Sequence, residues 1–452
     1  MLDFTLSELA KKIPALHQGS DMKIHTLCTD TRYLQPGDVF LALQGLHFNG
    51  HDFIAEAEQK GAAAVIVSQE VTTVLPLLRV SDTRIALGKI AQLHRQTLNM
   101  DCVAITGSCG KTTTKTLMAA VLSQQGKTLA TQGTLNNDIG VPLTLLRLNK
   151  EYEYAVIELG ANHRGEIAYI AEMTVPNIAI ITNAGPVHLE GFKTIEGVAK
   201  AKGEIYQFLT QEGIAIINAD DPFANYWKSQ IKSQAILTFG FHAAADITAT
   251  NIRNSDGVSS HFDLVTPKGS IDIELRLIGE HNISNALAVA AAAIGLDIPL
   301  TVIKTGLESI VTIDKRLVQK PGLNGGLIID DSYNANPFAF KIAIELLSKR
   351  KDEKILVMGD MGELGSEALN YHAEVGRMAK AAGIDHFFSV GPLSENAASA
   401  FGQTGKHYLN QEALIQALKP HLRKGVTVLV KGSRSAKMEN VVAELIVQQE
   451  IG

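Results

Sequence analysis

Cysteine, tryptophan and long apolar runs are all scarce in this sequence. Its 452 residues include one tryptophan and three cysteines, Cys28, Cys102 and Cys109. An odd number of scattered cysteines argues against a disulfide framework or a zinc site and favours a reducing compartment. No apolar run reaches the roughly 18 residues of a membrane span, and the start lacks the basic segment of a signal peptide. We therefore expect a cytoplasmic protein with no membrane insertion.

Positive charge is not in excess either. Lysine and arginine together number 41 against 47 aspartates and glutamates, so the formal net charge is −6. No basic stripe of the kind that binds phosphate backbones stands out, so no nucleic-acid partner is expected. A chain of this length is too long for one hydrophobic core, and about two to four domains are expected.

Short apolar runs alternate with helix-length segments along most of the chain. This alternation is typical of α/β domains with largely parallel sheets. We place the domains at residues 1–82, 83–312 and 313–452. The predicted helices are Ile85–Thr97 and an alanine-rich segment at 283–295. The predicted strands are Val39–Leu43, Ala62–Val67, Leu77–Val80, Cys102–Thr106, Ala155–Leu159, Ile178–Thr182, Gly213–Asn218, Gly326–Asp331, Ile355–Met358, His386–Val390 and Thr427–Val430.

The segment ITGSCGKTTTKT, residues 105–116, lies between a predicted strand and a predicted helix that starts at Thr112. Gly107 and Gly110 allow backbone angles closed to other residues, so successive N–H groups can surround an anion at the positive end of the helix. Lys111 would add charge on phosphates, and the Thr112 hydroxyl could bind Mg²⁺. The alternative is a chance glycine turn, because the usual phosphate loop has about four residues between its glycines and this one has two.

Glu158, His188 and Lys202 each allow a structural and a functional interpretation. Glu158 ends an apolar run, where a carboxylate is costly to bury unless a metal or another cation pairs with it. Its alternative is a carboxylate that faces water. A lone histidine such as His188, after a predicted strand, is more often structural than a ligand. Lys202 by itself indicates a solvated lysine on a helix.

Two polar segments follow in the second half of the chain. GEHNISNAL (279–287) puts Asn282 and Asn285 on one helical face, where their amides could bind a base or cap a turn. IIDDSYNANP (328–337) ends a predicted strand in Asp330 and Asp331. A carboxylate at the carboxyl end of a strand is a common ribose ligand in open sheets, and a turn-forming aspartate is the alternative.

A second candidate anion site lies near the end of the chain. VKGSRSA (430–436) puts Lys431, Ser433 and Arg434 between a predicted strand and the start of a helix. Backbone N–H groups and two cations at such a position favour a bound anion.

Taken together, these segments resemble the Mur ligases of peptidoglycan synthesis. The similarity extends from residue 29 to residue 435, and its motifs are specific in combination. Within the family it is closest to the members that add D-alanyl-D-alanine, because of LNNDIGVP, ELGANHRGEI and DSYNANP. The matching segments are TDTRYLQPGDVFLALQG, TGSCGKTTTK, NNDIGVP, IELGANHRGEI, HLEGF, AKGEI, GEHNISNA, DDSYNANP, GDMGELG and KGSRS.

The resemblance implies three domains: an N-terminal one for the UDP-sugar, a central P-loop ATPase and a Rossmann-like C-terminal one for the incoming amine. It implies an ATP-dependent, ADP-forming amide ligase that activates UDP-MurNAc-tripeptide as an acyl phosphate and joins it to D-Ala-D-Ala. This would be the last cytoplasmic step of precursor synthesis, with two Mg²⁺ ions, and we expect a monomer. The alternatives are another Mur ligase, a folylpolyglutamate synthase, a kinase or synthetase with another acceptor, and a nucleotide switch.

The resemblance also assigns roles to single residues. Lys202 matches a lysine that several members carry as a carbamate, which would be an oxygen ligand for a second Mg²⁺. The implied catalytic residues are Lys111, Glu158, His188 and Lys202, and the metal ligands are Thr112, Glu158, His188 and Lys202. The implied ATP contacts are Gly107, Ser108, Cys109, Gly110, Lys111, Thr112, Thr113, Asn137, His281, Asn282, Asn285, Arg316 and Asp331. The UDP-sugar is assigned to Asp30, Thr31, Arg32 and Asn49, and further substrate contacts to Tyr333, Asn334, Lys431, Ser433 and Arg434.

One departure from the family pattern concerns the segment before the C-terminal domain. The family usually has Pro-Gly-Arg there, whereas this sequence has Asp314, Lys315 and Arg316. The arginine is kept and the glycine is missing. We therefore expect the ATP contact to persist and the backbone conformation of the hinge to be the feature most affected.

Overall fold

A computed structural model describes residues 2–45, 47–232, 234–255 and 259–447 of the chain. Within these ranges, three layered α/β units follow one another, each with its own sheet and buried core. The predicted α/β class with largely parallel sheets is confirmed. No helix in the described ranges is long and apolar enough to cross a membrane.

The first unit is built on a mixed sheet whose strands are short and mostly buried. Its first helix is fixed by a capping box, because Thr5 and Glu8 each accept a hydrogen bond from the backbone N–H of the other. The strands, in spatial order, are Ala15–Gln18, Leu77–Val80, Ala64–Val67, Val39–Leu41 and Leu27–Cys28, and Phe4–Thr5 pairs separately with Lys23–Ile24. The helices are Leu6–Lys12, Gly50–Phe53 and Ile54–Gln59.

The second unit contains a parallel sheet in which Asp101–Thr106 is a central strand. Apolar clusters cover both faces of this sheet, which explains why its strands are continuous apolar runs. In spatial order the strands are Ala235–Phe239, Ile214–Asn218, Ile178–Ile181, Asp101–Thr106, Tyr154–Glu158 and Thr128–Ala130. The helices are Thr83–Gln96, Lys111–Leu122, Gly140–Leu145, Glu166–Thr174, Leu189–Phe192, Ile195–Gly203, Glu204–Phe208, Ala224–Gln230, Glu280–Gly295 and Leu300–Glu308.

A small antiparallel sheet follows the last strand of the second unit and was not predicted. Its strands are Thr248–Ser255, Ser259–Thr266 and Gly269–Leu275, paired in chain order. In Ser259–Thr266 buried and half-buried residues alternate, the pattern of a strand with one face on a core. Phe262 and Leu264 from that face join the core of the second unit.

The third unit contains a sheet with one antiparallel edge strand and otherwise parallel pairing. In spatial order the strands are Val318–Pro321, Leu327–Asp331, Val426–Lys431, Glu353–Gly359, His386–Val390 and Gly405–Tyr408. The helices are Leu323–Gly325, Pro337–Ser348, Gly365–Glu367, Ala368–Ala381, Glu395–Phe401, Gln411–Leu418, Lys419–His421, Arg434–Ala436 and Glu439–Leu445.

The predicted elements are found within three residues of their predicted bounds. The helix after the phosphate loop begins at Lys111, one residue before the predicted start. The helix Thr83–Gln96 contributes residues to the cores of both the first and the second unit. A boundary drawn beside this helix is therefore not marked by a gap in packing, and the boundaries at 82/83 and 312/313 stay predictions.

Candidate active site

The glycine turn between the strand Asp101–Thr106 and the helix Lys111–Leu122 forms a tight loop. Gly107 and Gly110 have φ angles of 153° and 84°, and a Cβ atom at either would collide with the side chain of Thr182 or Asn285, respectively. The Asn183 amide, two residues after the strand Ile178–Ile181, fixes the loop, because its Oδ1 accepts from the Cys109 N–H at 2.9 Å. The fold therefore requires glycine at both positions, and phosphate binding by this turn stays a prediction.

Lys111 is the first residue of the helix and its amine folds back over the loop. Its Nζ donates a hydrogen bond to the carbonyl oxygen of Gly107 at 2.7 Å. Burial lowers the pKa of the Lys111 ammonium, and the nearby Glu158 carboxylate partly offsets this. A phosphate anion beside this amine would stabilise its charged form.

Glu158 ends the strand Tyr154–Glu158 and is 2% exposed, so the water-facing alternative is wrong. Its Oε1 accepts from the Asn136 amide at 2.9 Å. Its Oε2 is buried and has no hydrogen-bond partner, and the Lys115 ammonium lies 3.6 Å away. An unsatisfied buried carboxylate oxygen is costly, so this atom fits a bound cation. Sequence reasoning missed both Asn136 and Lys115.

Lys202 lies in the helix Ile195–Gly203 and is 2% exposed, so the solvated-lysine interpretation is wrong. Among the described residues its amine has no hydrogen bond or ion pair, and it lies 6.0 Å from the centre of the Phe192 ring. Burial, with a smaller contribution from the charge of Lys111, puts the pKa of Lys202 well below its ordinary value. The neutral amine favoured in this way is the form that can react with CO₂.

His188 precedes the short helix Leu189–Phe192 and has a left-handed backbone, with φ at 49°. Its imidazole Nδ1 is hydrogen-bonded to the Glu363 carboxylate of the third unit. The carboxylate partner explains how the ring is oriented, and sequence reasoning did not identify it although GDMGELG was among the matching motifs.

Arg316 connects the third unit with the phosphate loop. Its Nη2 donates to the Thr112 hydroxyl at 3.0 Å, and its guanidinium lies 4.2 Å from the centre of the Tyr333 ring. Lys315 and Leu317 on either side have φ angles of 55° and 54°. Lys315 therefore adopts the backbone conformation that glycine takes most readily, which accounts for the family glycine at this position.

Asp331 and Lys431 end neighbouring parallel strands and form a buried ion pair of 2.6 Å. The turn alternative describes Asp330, whose Oδ1 accepts from the Ser332 N–H at 3.2 Å, whereas the Asp331 carboxylate is engaged by Lys431. Burial raises the pKa of the Asp331 carboxyl, and Lys431 opposes this. Lys431 also donates to the Asn334 carbonyl oxygen at 2.9 Å, so the two predicted segments around these residues meet at one edge of the sheet.

His281, Asn282 and Asn285 lie in the first turns of the helix Glu280–Gly295. The two amides share a helical face as predicted, with Asn285 Nδ2 donating to Asn282 Oδ1 at 3.4 Å. Burial, together with the charge of Lys431, lowers the pKa of His281 to about 4. All three residues line the cleft described next, and His281 and Asn285 also line a second cavity of about 790 Å³.

A cleft of about 720 Å³ between the second and third units brings most predicted residues together. Gly107, Lys202 and Ser433 are not among the residues that line it. Sequence reasoning missed Arg84, Asp138, Arg164 and Tyr169 at its edge. The predicted residues that line the cleft are Ser108, Cys109, Gly110, Lys111, Thr112, Thr113, Asn137, Glu158, His188, His281, Asn282, Asn285, Arg316, Asp331, Tyr333, Asn334, Lys431 and Arg434.

The residues predicted for the sugar nucleotide lie in the first unit and do not line this cleft. Asp30 and Arg32 form an ion pair of 2.6 Å, and Thr31 is buried with its carbonyl oxygen bonded to Lys60. Asn49 caps a turn by accepting from the His51 N–H at 3.2 Å.

Comparison with known proteins agrees with this architecture. The Mur ligase middle domain matches residues 105–293, the Mur ligase glutamate ligase domain residues 315–434, and the Mur ligase family catalytic domain residues 23–95. The chain belongs to the Mur ligase family, and it is an ATP-dependent ligase.

Individual relatives match this chain over nearly its whole length. The UDP-N-acetylmuramoyl-tripeptide–D-alanyl-D-alanine ligase of Escherichia coli is 47% identical, over 98% of this chain and 99% of the relative. The MurF crystal structure from Acinetobacter baumannii is 36% identical, with a TM-score of 0.91 over 98% of this chain and 99% of that one. The MurF ligase of Thermotoga maritima in complex with ADP is 28% identical, with a TM-score of 0.85 over 93% and 96% of the chains.

Proposed function

We propose that this chain joins D-alanyl-D-alanine to UDP-N-acetylmuramoyl-tripeptide, with ATP cleaved to ADP and phosphate. The observation that carries the proposal is that Lys111, Glu158 and Arg316, from two units of the chain, line one cleft beside a phosphate loop. The choice of substrates is supported by the names of relatives up to 47% identical over nearly the full chain. We further propose that residues 1–82 bind the UDP-sugar, 83–312 ATP and 313–452 the incoming dipeptide.

The first chemical step has to give the tripeptide carboxylate a leaving group, because a carboxylate and an amine at pH 7 form only a salt. Transfer of the γ-phosphoryl group of ATP gives an acyl phosphate, and this step depends mainly on positioning and charge neutralisation. The loop N–H groups and the Lys111 ammonium surround the phosphates. Arg316, already 3.0 Å from Thr112, adds a cation from the other side of the cleft.

Thr112, Glu158, His188 and a carbamylated Lys202 would hold two Mg²⁺ ions. Hard oxygen ligands suit this cation, and the unsatisfied Oε2 of Glu158 fits the requirement. The unmodified Lys202 amine offers no oxygen ligand, whereas its carbamate would provide oxygen ligands. When bound, Mg²⁺ supplies charge neutralisation on the phosphate oxygens.

The second step is attack of the dipeptide amine on the acyl phosphate. An α-amino group has a pKa of about 7.7–8.0, so a sizeable neutral fraction exists near pH 7.5 and no strong base is needed. Asn334, Lys431 and Arg434 line the third unit's side of the cleft, and we assign them to orienting the dipeptide. Closure of the units over the cleft would exclude water, which otherwise hydrolyses the acyl phosphate. We place the enzyme in the cytoplasm as a monomer, at the last cytoplasmic step of peptidoglycan precursor synthesis.

Phosphate release in the presence of defined acceptors tests this proposal. The purified chain should release phosphate from ATP rapidly only with both UDP-MurNAc-tripeptide and D-Ala-D-Ala, and the product should gain the mass of the dipeptide. D-Ala-D-Ala replaced by L-alanyl-L-alanine is the matched control and should leave release slow. Equal release with a folate and L-glutamate would transfer the chain to the folate-ligase branch, and release without any amine would indicate a nucleotide switch.

A further inference from the structure

Two histidines and one glutamate meet at the edge of the third sheet that lies away from the cleft. Glu353 and His386 begin the neighbouring parallel strands Glu353–Gly359 and His386–Val390, and His421 ends the short helix Lys419–His421. One ligand atom from each residue lies within 4.8 Å of the other two. The three residues are half-buried, and none is part of the Mur ligase motifs described above.

Neighbouring groups hold each of these side chains in place. Glu353 Oε1 is 3.3 Å from His386 Nε2, while its Oε2 is paired with the Arg423 guanidinium. The His421 ring packs edge-to-face on Phe388, with 5.4 Å between ring centres. A site whose ligands are already oriented loses little conformational entropy when an ion binds.

This cluster is remote from the ligase chemistry. Asp331 and Lys431 lie at the carboxyl ends of their strands, whereas Glu353 and His386 lie at the amino ends of theirs. Strands rise about 3.3 Å per residue, so five to seven residues of strand put the cluster roughly 15–20 Å from the cleft. None of the three residues lines either cavity described above.

We propose that Glu353, His386 and His421 form a binding site for a borderline transition-metal ion such as Zn²⁺, separate from the ATP cleft. Imidazole nitrogens with one carboxylate oxygen select ions of this class over Mg²⁺ and Ca²⁺, which prefer all-oxygen ligands. Water completes the coordination at the exposed side. Arg423 stays hydrogen-bonded to Oε2 of Glu353 and thereby orients this carboxylate ligand.

The electrostatic surroundings agree with a site that depends on imidazole ligation rather than on negative charge. Arg423 is paired with Glu353, and Lys406 lies over the Phe388 ring against which His421 packs. The positive charges of Lys406 and Arg423 disfavour a metal ion that is held by electrostatic attraction alone. The bound ion would tie the first residues of two strands to the segment 419–421, and would therefore stabilise the folded chain.

Zinc binding by the full-length chain tests the proposal. Titration of metal-stripped protein with Zn²⁺, in the presence of millimolar Mg²⁺ and ADP to occupy the cleft, should show one ion per chain with a micromolar or lower dissociation constant. His386→Ala and His421→Ala should each weaken this binding at least tenfold and abolish the zinc-dependent rise in melting temperature. His407→Ala, in the same sheet and bonded to Ser389 at 3.0 Å, should bind zinc like the wild type.

Two further measurements keep the outcome decisive. X-ray absorption of the zinc-loaded chain should show two imidazole nitrogens and oxygen ligands, and Co²⁺ should give an absorption spectrum that His421→Gln abolishes. Far-UV circular dichroism and unaltered phosphate release confirm that each variant is folded. Zinc binding that is absent, or that survives in both histidine variants, overturns the proposal and leaves the ligase function untouched.

Discussion

The imidazole Nδ1 of His188 is hydrogen-bonded to the carboxylate of Glu363, across the boundary between the second and third units. Both residues have left-handed backbones, with φ at 49° and 61°. The Glu190 N–H also donates to the Glu363 carbonyl oxygen at 3.4 Å. A residue assigned to metal binding is thus oriented by a side chain that reaches it only when the two units are in contact.

Replacement of Glu363 should therefore loosen the closed arrangement. In Glu363→Ala, we expect kcat to fall roughly tenfold, about 1.4 kcal/mol, because His188 loses its orienting partner. Small-angle scattering with ATP and UDP-tripeptide should give a larger radius of gyration than for the wild type. Glu367→Ala is the control, since Glu367 is exposed nearby and its carboxylate accepts a hydrogen bond from the exposed Asn370 at 2.7 Å. An unchanged radius and rate in Glu363→Ala would show that the contact contributes nothing to closure.

Lys111→Ala should remove charge neutralisation at the phosphates. We expect a rate loss of roughly 10²-fold or more, about 3 kcal/mol or more of transition-state stabilisation. The melting temperature should stay close to that of the wild type, because within the described ranges the amine contributes one hydrogen bond, to Gly107, and no ion pair. Lys127→Ala, at an exposed ion pair with Glu151, is the control. Near-normal turnover in Lys111→Ala would reject the phosphate-loop assignment.

The enzyme should require carbon dioxide for full activity if Lys202 acts as a carbamate. Its buried, neutral amine is expected to react with dissolved CO₂, so activity should fall in strictly CO₂-depleted buffer and return on addition of bicarbonate. Lys202→Ala should be slow and partly rescued by a small carboxylate such as formate. Lys200→Ala, an exposed lysine of the same helix, should behave like the wild type. Full activity without CO₂ would remove the carbamate from the mechanism.

His281 should make the free chain less stable in mild acid. Its pKa is about 4 in the folded protein and about 6.5 when unfolded, so between these values the unfolded state binds more protons. The free energy of unfolding should then fall as the pH is lowered, by up to about 2 kcal/mol between pH 7 and pH 5 from this residue. Urea titrations of the wild type and His281→Gln at both pH values measure this difference. If the free energy of unfolding changed equally with pH in both proteins, the lowered pKa of His281 would be contradicted.

The local sequence was sufficient wherever a feature depends on neighbouring residues. The order strand, glycine turn, lysine and helix at 101–122 follows from an apolar run and from backbone angles that only glycine adopts freely. The shared face of Asn282 and Asn285 follows from helical periodicity. The small sheet at 248–275 was missed although apolar residues alternate with polar ones in Gly269–Leu275, at Ile271, Ile273 and Leu275. Only its first strand, Thr248–Ser255, is largely polar and lacks this signal.

Other properties of the same residues were decided only by tertiary structure. AKAKGE has the composition of a solvated helix, yet Lys202 is buried because its helix packs against neighbouring helices. Arg316 meets Thr112 across 204 positions and Glu363 meets His188 across 175. Local propensity depends on residues a few positions apart, whereas these contacts exist only after separate sheets fold and then dock. The sequence thus determined which chemical groups are present and on which elements they lie, and the packing of those elements determined which groups meet.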